Sequence, residues 1–157
     1  MNFRQTAVLF LATGCYIGRL PIAPGTFGSL LALLPVFMLS HLQWWAQSVI
    51  IAAFTGCAIF VADAAEKLLG KKDPGSIVID EIAGMMVTLA GLPFDGVTVV
   101  SGFIIFRILD ITKPYPIRAI ERNLKGGTGV VMDDVVAGVM GNILLRLILA
   151  LIGSDPF

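Results

Sequence analysis

Charge is scarce in this chain, and one long stretch has none: between Arg19 and Asp63 there is no aspartate, glutamate, lysine or arginine. Only 14% of the 157 residues are charged, against 57% that are hydrophobic, and the mean hydropathy of +0.90 lies outside the usual soluble range. The 11 basic and 11 acidic residues cancel. No basic stripe exists for a nucleic acid to follow, so that class of partner is excluded. Cysteine is almost absent. Cys15 and Cys57 stand apart in apolar stretches, which argues against a disulfide framework or a thiolate metal site and leaves them as small packing residues.

An uncharged run of this length accommodates two membrane helices of about 17–20 residues each. The expected spans are 28–42 and 46–63, joined through Ser40-His41-Leu42-Gln43-Trp44-Trp45, whose tryptophan pair suits a membrane–water interface. A third apolar segment, Ile82 to Leu92, runs on from Glu81 and stops at the turn Leu92-Pro93-Phe94-Asp95-Gly96. A fourth covers 97–112. The last runs from Val135 to Ile152 and contains Arg146, which must snorkel or face protein. Arg4 and the apolar run to Gly14-Cys15 imitate a lipoprotein signal, but Ala12 stands where a leucine is usual. Residues 3–17 are therefore expected as a retained amphipathic helix. The fold class expected is all-α: a polytopic helical membrane protein, one domain over 1–157, with about four to five membrane-embedded helices plus that N-terminal helix.

Cations set the expected orientation. Lys67, Lys71 and Lys72 flank one connection, and Lys113, Arg118, Arg122 and Lys125 crowd another, while the turns near 41–46 and 93–96 carry no lysine or arginine. The positive-inside rule puts 63–80 and 113–130 on the cytoplasmic side of an inner membrane. Every polar motif then falls on one face. A channel or cation-coupled transporter, the alternative from another class, needs polar residues along its whole path.

Two segments share the form Asp-x-[Ile/Val]-Ala-Gly: Asp80-Glu81-Ile82-Ala83-Gly84 and Asp134-Val135-Val136-Ala137-Gly138. Alanine and glycine three and four residues after the aspartate lie on its helix face and let two helices approach closely. A crossing there brings Asp80 and Asp134 together, with Glu81 and Asp133 beside them. Clustered carboxylates repel one another unless a cation is bound, and hard oxygen donors select Mg²⁺ or Mn²⁺ over zinc. Arg107, Asp110 and Lys113 recur at three-residue intervals before Pro114 and Pro116. The two cations suit phosphoryl oxygens, whereas Asp110 reads equally as metal ligand, base or orienting partner. Two glycine-bearing segments, Arg19 to Ser29 (with Thr26) and Gly126-Gly127-Thr128-Gly129, are expected as loops that aim backbone N–H groups at an anion.

Absent motifs narrow the chemistry. There is no Cys-x₅-Arg loop and no Asp-x-Asp pair after a strand; the sole histidine, His41, falls on the opposite face; and the nucleotide loop G-x-x-x-x-G-K-[ST] is missing. Water activated by a carboxylate-held metal remains, with a phospho-aspartate as competing mechanism. On Gly18-Arg19 through Ser29, Asp73-Pro74 through Gly84, Phe106-Arg107 through Pro116, and Gly126-Gly127 through Gly138, the sequence resembles the phosphatidylglycerophosphatase A family. The resemblance implies an all-α fold, Mg²⁺ dependence and hydrolysis of phosphatidylglycerophosphate to phosphatidylglycerol and phosphate at the bilayer. The working site then has Asp80, Glu81, Asp133 and Asp134 on the metal, and Lys113, Arg107 and Arg19 on the phosphate. Thr26, Gly126 and Gly127 shape the headgroup pocket. A phosphatase of another lipid phosphate is the enzymatic alternative.

Overall fold

The structure is a computed structural model in which residues 2–153 are described, and among these all regular structure is helical. The helices are α1 (Phe3–Ala12), α2 (Pro24–Leu31), α3 (Leu33–Leu39), α4 (Trp44–Leu69), α5 (Ile79–Leu89), α6 (Gly96–Thr112), α7 (Ile117–Asn123) and α8 (Gly126–Leu151), with a single 3₁₀ turn at Ile17–Arg19.

The shortest of the long apolar segments forms the centre. Nine of the 11 residues of α5 are buried, from Ile79 to Leu89, because α8, α4, α6, α2 and α3 all pack against it. A helix that is apolar all round belongs inside other helices. The outer helices are apolar in a different way. Along α6, Gly102, Phe106 and Leu109 are buried while Val97, Val100, Ile104, Ile108 and Ile111 are exposed at three- and four-residue intervals. On α8, Leu145 and Leu149 turn inward and Val139, Ile143, Leu147 and Leu151 outward. Continuous exposed apolar stripes on neighbouring helices far exceed the scattered surface leucines of a soluble monomer and suit a hydrocarbon surround.

By length and composition, two helices among the described residues can cross a membrane, α4 and α8. At 26 residues each they extend about 39 Å. The expected third span is a different object: α5 has 11 residues and extends about 16 Å, short of a hydrocarbon core of about 30 Å. Hydrophobicity counted along the sequence does not separate residues that face lipid from residues that face protein, and α5 is of the second kind. The expected first span is also divided, into α2 and α3 at Ala32. The N-terminal helix stops at Ala12, earlier than expected, since Gly14, Cys15 and Tyr16 have left-handed backbone angles. Both segments expected as glycine loops are largely helical: Pro24 occupies the first turn of α2, and Gly126 begins α8.

Polar residues close the far end of the core. The amide of Asn142 donates to the carbonyls of Val87, Thr88 and Ala90, Arg146 donates to those of Ala90 and Gly91, and the Gly91 N–H donates to Gln47. The bonds from Asn142 and Arg146 supply donors to carbonyls at the end of α5 and in the turn that follows it, where helical partners run out. Arg146 thus faces protein, one of the two outcomes its position in an apolar run allowed.

Glycines set the helix spacing where α5 crosses α8. A Cβ added at Gly138 would lie 2.4 Å from the Gly84 carbonyl oxygen, and one at Gly84 would lie 2.7 Å from that of Asp134. Backbone cannot retreat as a flexible side chain can. Gly138→Ala is therefore expected to destabilise the detergent-solubilised protein by about 1–3 kcal/mol, whereas Gly56→Ala, with nothing within 4 Å of its new methyl, should be neutral or slightly stabilising. Thermal unfolding of the two variants checks this; equal midpoints would mean that the crossing is looser than drawn.

Candidate active site

The same crossing sets the level of the acidic residues. Asp80 and Glu81 lie in the first turn of α5, and Asp134 lies in the third turn of α8, four residues before Gly138. One oxygen from each of Asp80, Glu81 and Asp134 falls within 4.8 Å of the others. Around them is a cavity of about 180 Å³ whose lining includes Asp73, Asp110, Asp133 and Lys113 as well. Six carboxylates therefore face one ammonium group. Asp80, Asp133 and Asp134 are buried, so solvent screens their repulsion little.

The oxygens show what this cavity can hold. Asp80 Oδ1, Glu81 Oε2, Asp133 Oδ1 and Asp134 Oδ2 are buried and accept no hydrogen bond among the described residues. Buried polar atoms are nearly always satisfied, and four orphaned carboxylate oxygens in one place fit a cation better than any neutral partner. All the donors are oxygen, which suits a hard divalent ion. The cluster is thus able to bind a metal ion.

Two cations stand at its edges, each tied to an acid. Arg107 Nη1 lies 2.5 Å from Asp110 Oδ2 and 3.5 Å from the Ser29 hydroxyl. Lys113 Nζ donates to Asp133 Oδ2 at 2.6 Å and to Glu121 Oε1 at 2.9 Å. Burial alone would lower the Lys113 pKa; its bonds to Asp133 and Glu121 outweigh that and hold it above the ordinary lysine range. The lysine is charged at any working pH.

The residues expected from sequence divide into groups. Asp80, Glu81, Asp110, Lys113, Asp133 and Asp134 line one cavity, and Arg107 reaches them through Asp110. Within that set Asp133 stands apart from the three-carboxylate cluster, as partner of Lys113. Thr26 is half-buried on α2, next to Gly25, where an added Cβ would lie 2.2 Å from Glu81 Oε1. Gly126 and Gly127 pack on Asp63: the Gly127 N–H donates to Asp63 Oδ1 at 3.5 Å, and an added Cβ on Gly127 would lie 2.0 Å from the Ile59 carbonyl oxygen. Gly126 lines a small adjoining cavity with Asp73, Glu121 and Asp133. Arg19 is exposed, its guanidinium 4.5 Å above the Tyr16 ring, and is outside the acidic cavity.

Four contributors escape a reading of the sequence. Asp73 reads as a turn residue in Asp73-Pro74-Gly75, and that turn brings it to the cavity. Glu121 looks like a solvated residue of a basic helix, eight positions from the lysine it holds. Gly25 and Ser29, read as loop, are buried on the face of α2 that meets Glu81 and Arg107. The spacing of Gly25, Gly28 and Ser29, small residues three and four apart, was the available signal of a close helix contact.

An apolar exterior around a carboxylate cavity edged by arginine and lysine defines a membrane-associated helical protein with a cluster able to bind a metal ion. Comparison with known proteins makes this specific. The profile of the phosphatidylglycerophosphatase A family matches residues 10–149, and the chain belongs to that family. It is 42% identical over 139 residues to phosphatidylglycerophosphatase A of Escherichia coli (strain K12), covering 88% of this chain and 81% of the relative. The Haemophilus influenzae phosphatidylglycerophosphatase A is 35% identical over 139 residues, covering 86% and 84%. A Bacteroides thetaiotaomicron protein, provisionally named a phosphatidylinositol-3-phosphatase, is 38% identical over 153 residues, covering 92% and 95%. No solved structure matches the chain.

Mutual repulsion in the cluster yields a paired prediction. Asp80→Asn removes one of the converging charges, so the metal-free variant should unfold at a higher temperature than metal-free wild type. Mg²⁺ or Mn²⁺ at a hundred times its dissociation constant should stabilise wild type by about 2.7 kcal/mol and the variant far less. A metal-induced rise of equal size in both proteins would remove Asp80 from the metal site.

Proposed function

We propose that this protein is a Mg²⁺-dependent phosphatidylglycerophosphatase, hydrolysing phosphatidylglycerophosphate to phosphatidylglycerol and inorganic phosphate. One observation carries the reading: Asp80, Glu81 and Asp134 converge with unsatisfied oxygens beside Arg107 and Lys113, in a chain of this family. Asp80, Glu81 and Asp134 hold the ion. When bound, Mg²⁺ supplies Lewis-acid charge to the phosphoryl oxygens and offsets the acids around them.

The chain's own residues do the rest. Arg107, aligned by Asp110, offers its guanidinium to the phosphoryl group, and Lys113, held between Asp133 and Glu121, offers a fixed positive charge. Neither cation is loose, so little ordering remains when substrate arrives. Hydrolysis forms a bond from water oxygen to phosphorus and breaks the bond from phosphorus to the glycerol oxygen, which leaves with a proton. Asp110 lies close enough to interact with both Asp134 and Glu81 and is the carboxylate assigned to take the water proton. Asp133 is assigned to position Lys113 and not to ligate the ion.

The protein is read as a multi-pass component of a bacterial inner membrane. The segment α2–α3 and α6 are membrane-embedded beside α4 and α8, and α5 lies within their bundle. The cavity opens at the cytoplasmic side, which is supported by the gathering of Lys72, Lys113, Arg118, Arg122 and Lys125 at the end of the bundle that holds it. The relative named for a phosphoinositide keeps a second lipid phosphate in view as substrate.

Phosphate release from micellar phosphatidylglycerophosphate and phosphatidylinositol 3-phosphate, with and without Mg²⁺, tests the assignment. Wild type should act on the first substrate only with metal, and Asp80→Asn and Asp134→Asn should each lose at least about a hundredfold in kcat, as removal of charge stabilisation does elsewhere. Asp133→Asn should lose less. Folded wild type that releases phosphate only from the inositol lipid would transfer the reading to that headgroup, and no release from either lipid would end it.

A further inference from the structure

A second cavity, of about 290 Å³, lies on the outer side of the α6–α7 turn and differs in charge from the first. It is lined by Lys113, Pro114, Tyr115, Arg118, Ala119 and Arg122, which gives three cations and no carboxylate. Lys113 lines both cavities. The short helix α7 sorts its charges between them. Glu121 turns inward to Lys113, while Arg118 and Arg122, one helical turn apart, line the outer cavity. Among the described residues neither arginine makes an ion pair; Arg118 donates one bond, at 3.1 Å, to the Thr112 carbonyl. Like charges one turn apart oppose each other unless an anion lies between them.

Resting on the phosphatidylglycerophosphatase reading, we infer that the outer basic cavity binds the phosphodiester of the substrate, the phosphate that survives the reaction, while its phosphomonoester occupies the acidic cavity. The two phosphates of that lipid are one glycerol unit apart, and the two cavities share a residue. Their opposite charge fits the division. A phosphate to be cleaved must enter among carboxylates and needs a cation there, whereas a phosphate that is only held needs arginine. Arginine is the side chain suited to it, because its planar fork bonds two phosphate oxygens at once. Binding energy from a remote, unreacting group can be used to place the reacting one. Tyr115, 85% exposed at the mouth of this cavity, has the ring-and-hydroxyl character favoured at the membrane surface where that phosphodiester lies.

A charge-deletion cycle tests the inference in micelles of neutral detergent, where no bulk anionic lipid competes. The enzyme arms are wild type, Arg122→Gln, Arg122→Lys and Arg118→Gln/Arg122→Gln. The substrate arms are phosphatidylglycerophosphate and an analogue methylated on its diester oxygen, which is neutral at that phosphate and keeps the charge of the phosphomonoester. The double variant should raise KM for the natural lipid by about tenfold, the scale of one charge-assisted contact, with a smaller change in kcat. The methylated analogue should raise the wild-type KM by a similar factor, and combining both deletions should add nothing further. Arg122→Lys should keep most of the charge attraction. Arg122→Gln serves where the double variant folds poorly. Losses that multiply, or KM values within twofold of wild type, overturn the inference. A defect confined to anionic vesicles also overturns it, because the arginines then hold the bilayer surface. Wild type inactive on the natural lipid would defeat the activity itself, a different failure.

Discussion

The contact between α5 and α8 at Gly84 and Gly138 is the constraint on which the rest of this structure depends. Helix axes normally stay 8–10 Å apart because side chains stand between them. Here each glycine presents bare backbone to the other helix, with room at the contact for no Cβ on either side. In a lipid surround, where apolar surface alone gives helices little reason to associate, such packing supplies much of the attraction. The contact also does something that attraction alone would not. It locks the axial register of α5 against α8, and with it the relative height of Asp80, Glu81 and Asp134. A slip of one residue on either helix would rotate a carboxylate by about 100° out of the cluster.

That register gathers negative charge that the protein itself only partly offsets. Two of the six carboxylates in the cavity, Asp110 and Asp133, are answered by Arg107 and Lys113. Among the described residues the other four, Asp73, Asp80, Glu81 and Asp134, make no ion pair. Far from the site, the protein satisfies its polar groups closely, as the fan of bonds from Asn142 and Arg146 to the end of α5 shows. The contrast is informative. A bundle that caps the C-terminal end of its central helix with two side chains leaves carboxylate oxygens at the N-terminal end of the same helix without partners.

The site was legible in the sequence to the extent that it repeats. Asp80-to-Gly84 and Asp134-to-Gly138 have the same form, and small residues at fixed offsets from an acid imply both the crossing and the meeting of Asp80 with Asp134. The outline of the helices was less legible. Apolar length along the chain made α5 look like a span, whereas its apolar residues face other helices. The glycines of α2 and of the start of α8 read as loop punctuation, yet they are helical residues whose missing side chains make room for Glu81, Val78 and Ile59. Glycine in an apolar helix marks close approach as often as a break, and only the partner reveals which. Asp133 shows how much a side chain's partner adds. Adjacent helical residues point about 100° apart, and where Asp134 joins the cluster, Asp133 gives one oxygen to Lys113 and keeps the other without a partner among the described residues.

Lys113 joins the parts. It sits one residue beyond α6 with a left-handed backbone (φ 43°), an uncommon conformation for a residue with a side chain. A right-handed residue there would continue α6 and carry the ammonium along its outer face; the left-handed turn instead sends the chain back to α7 and lets Lys113 meet Asp133 of α8. The same turn brings α7 alongside, so that Glu121 turns in to Lys113 and the small adjoining cavity while Arg118 and Arg122 line the outer one. One backbone reversal thereby divides a basic segment into a charge inside the site and charges beside it. In the proposed division of labour, the first serves the phosphate that is cleaved and the others serve the phosphate that survives.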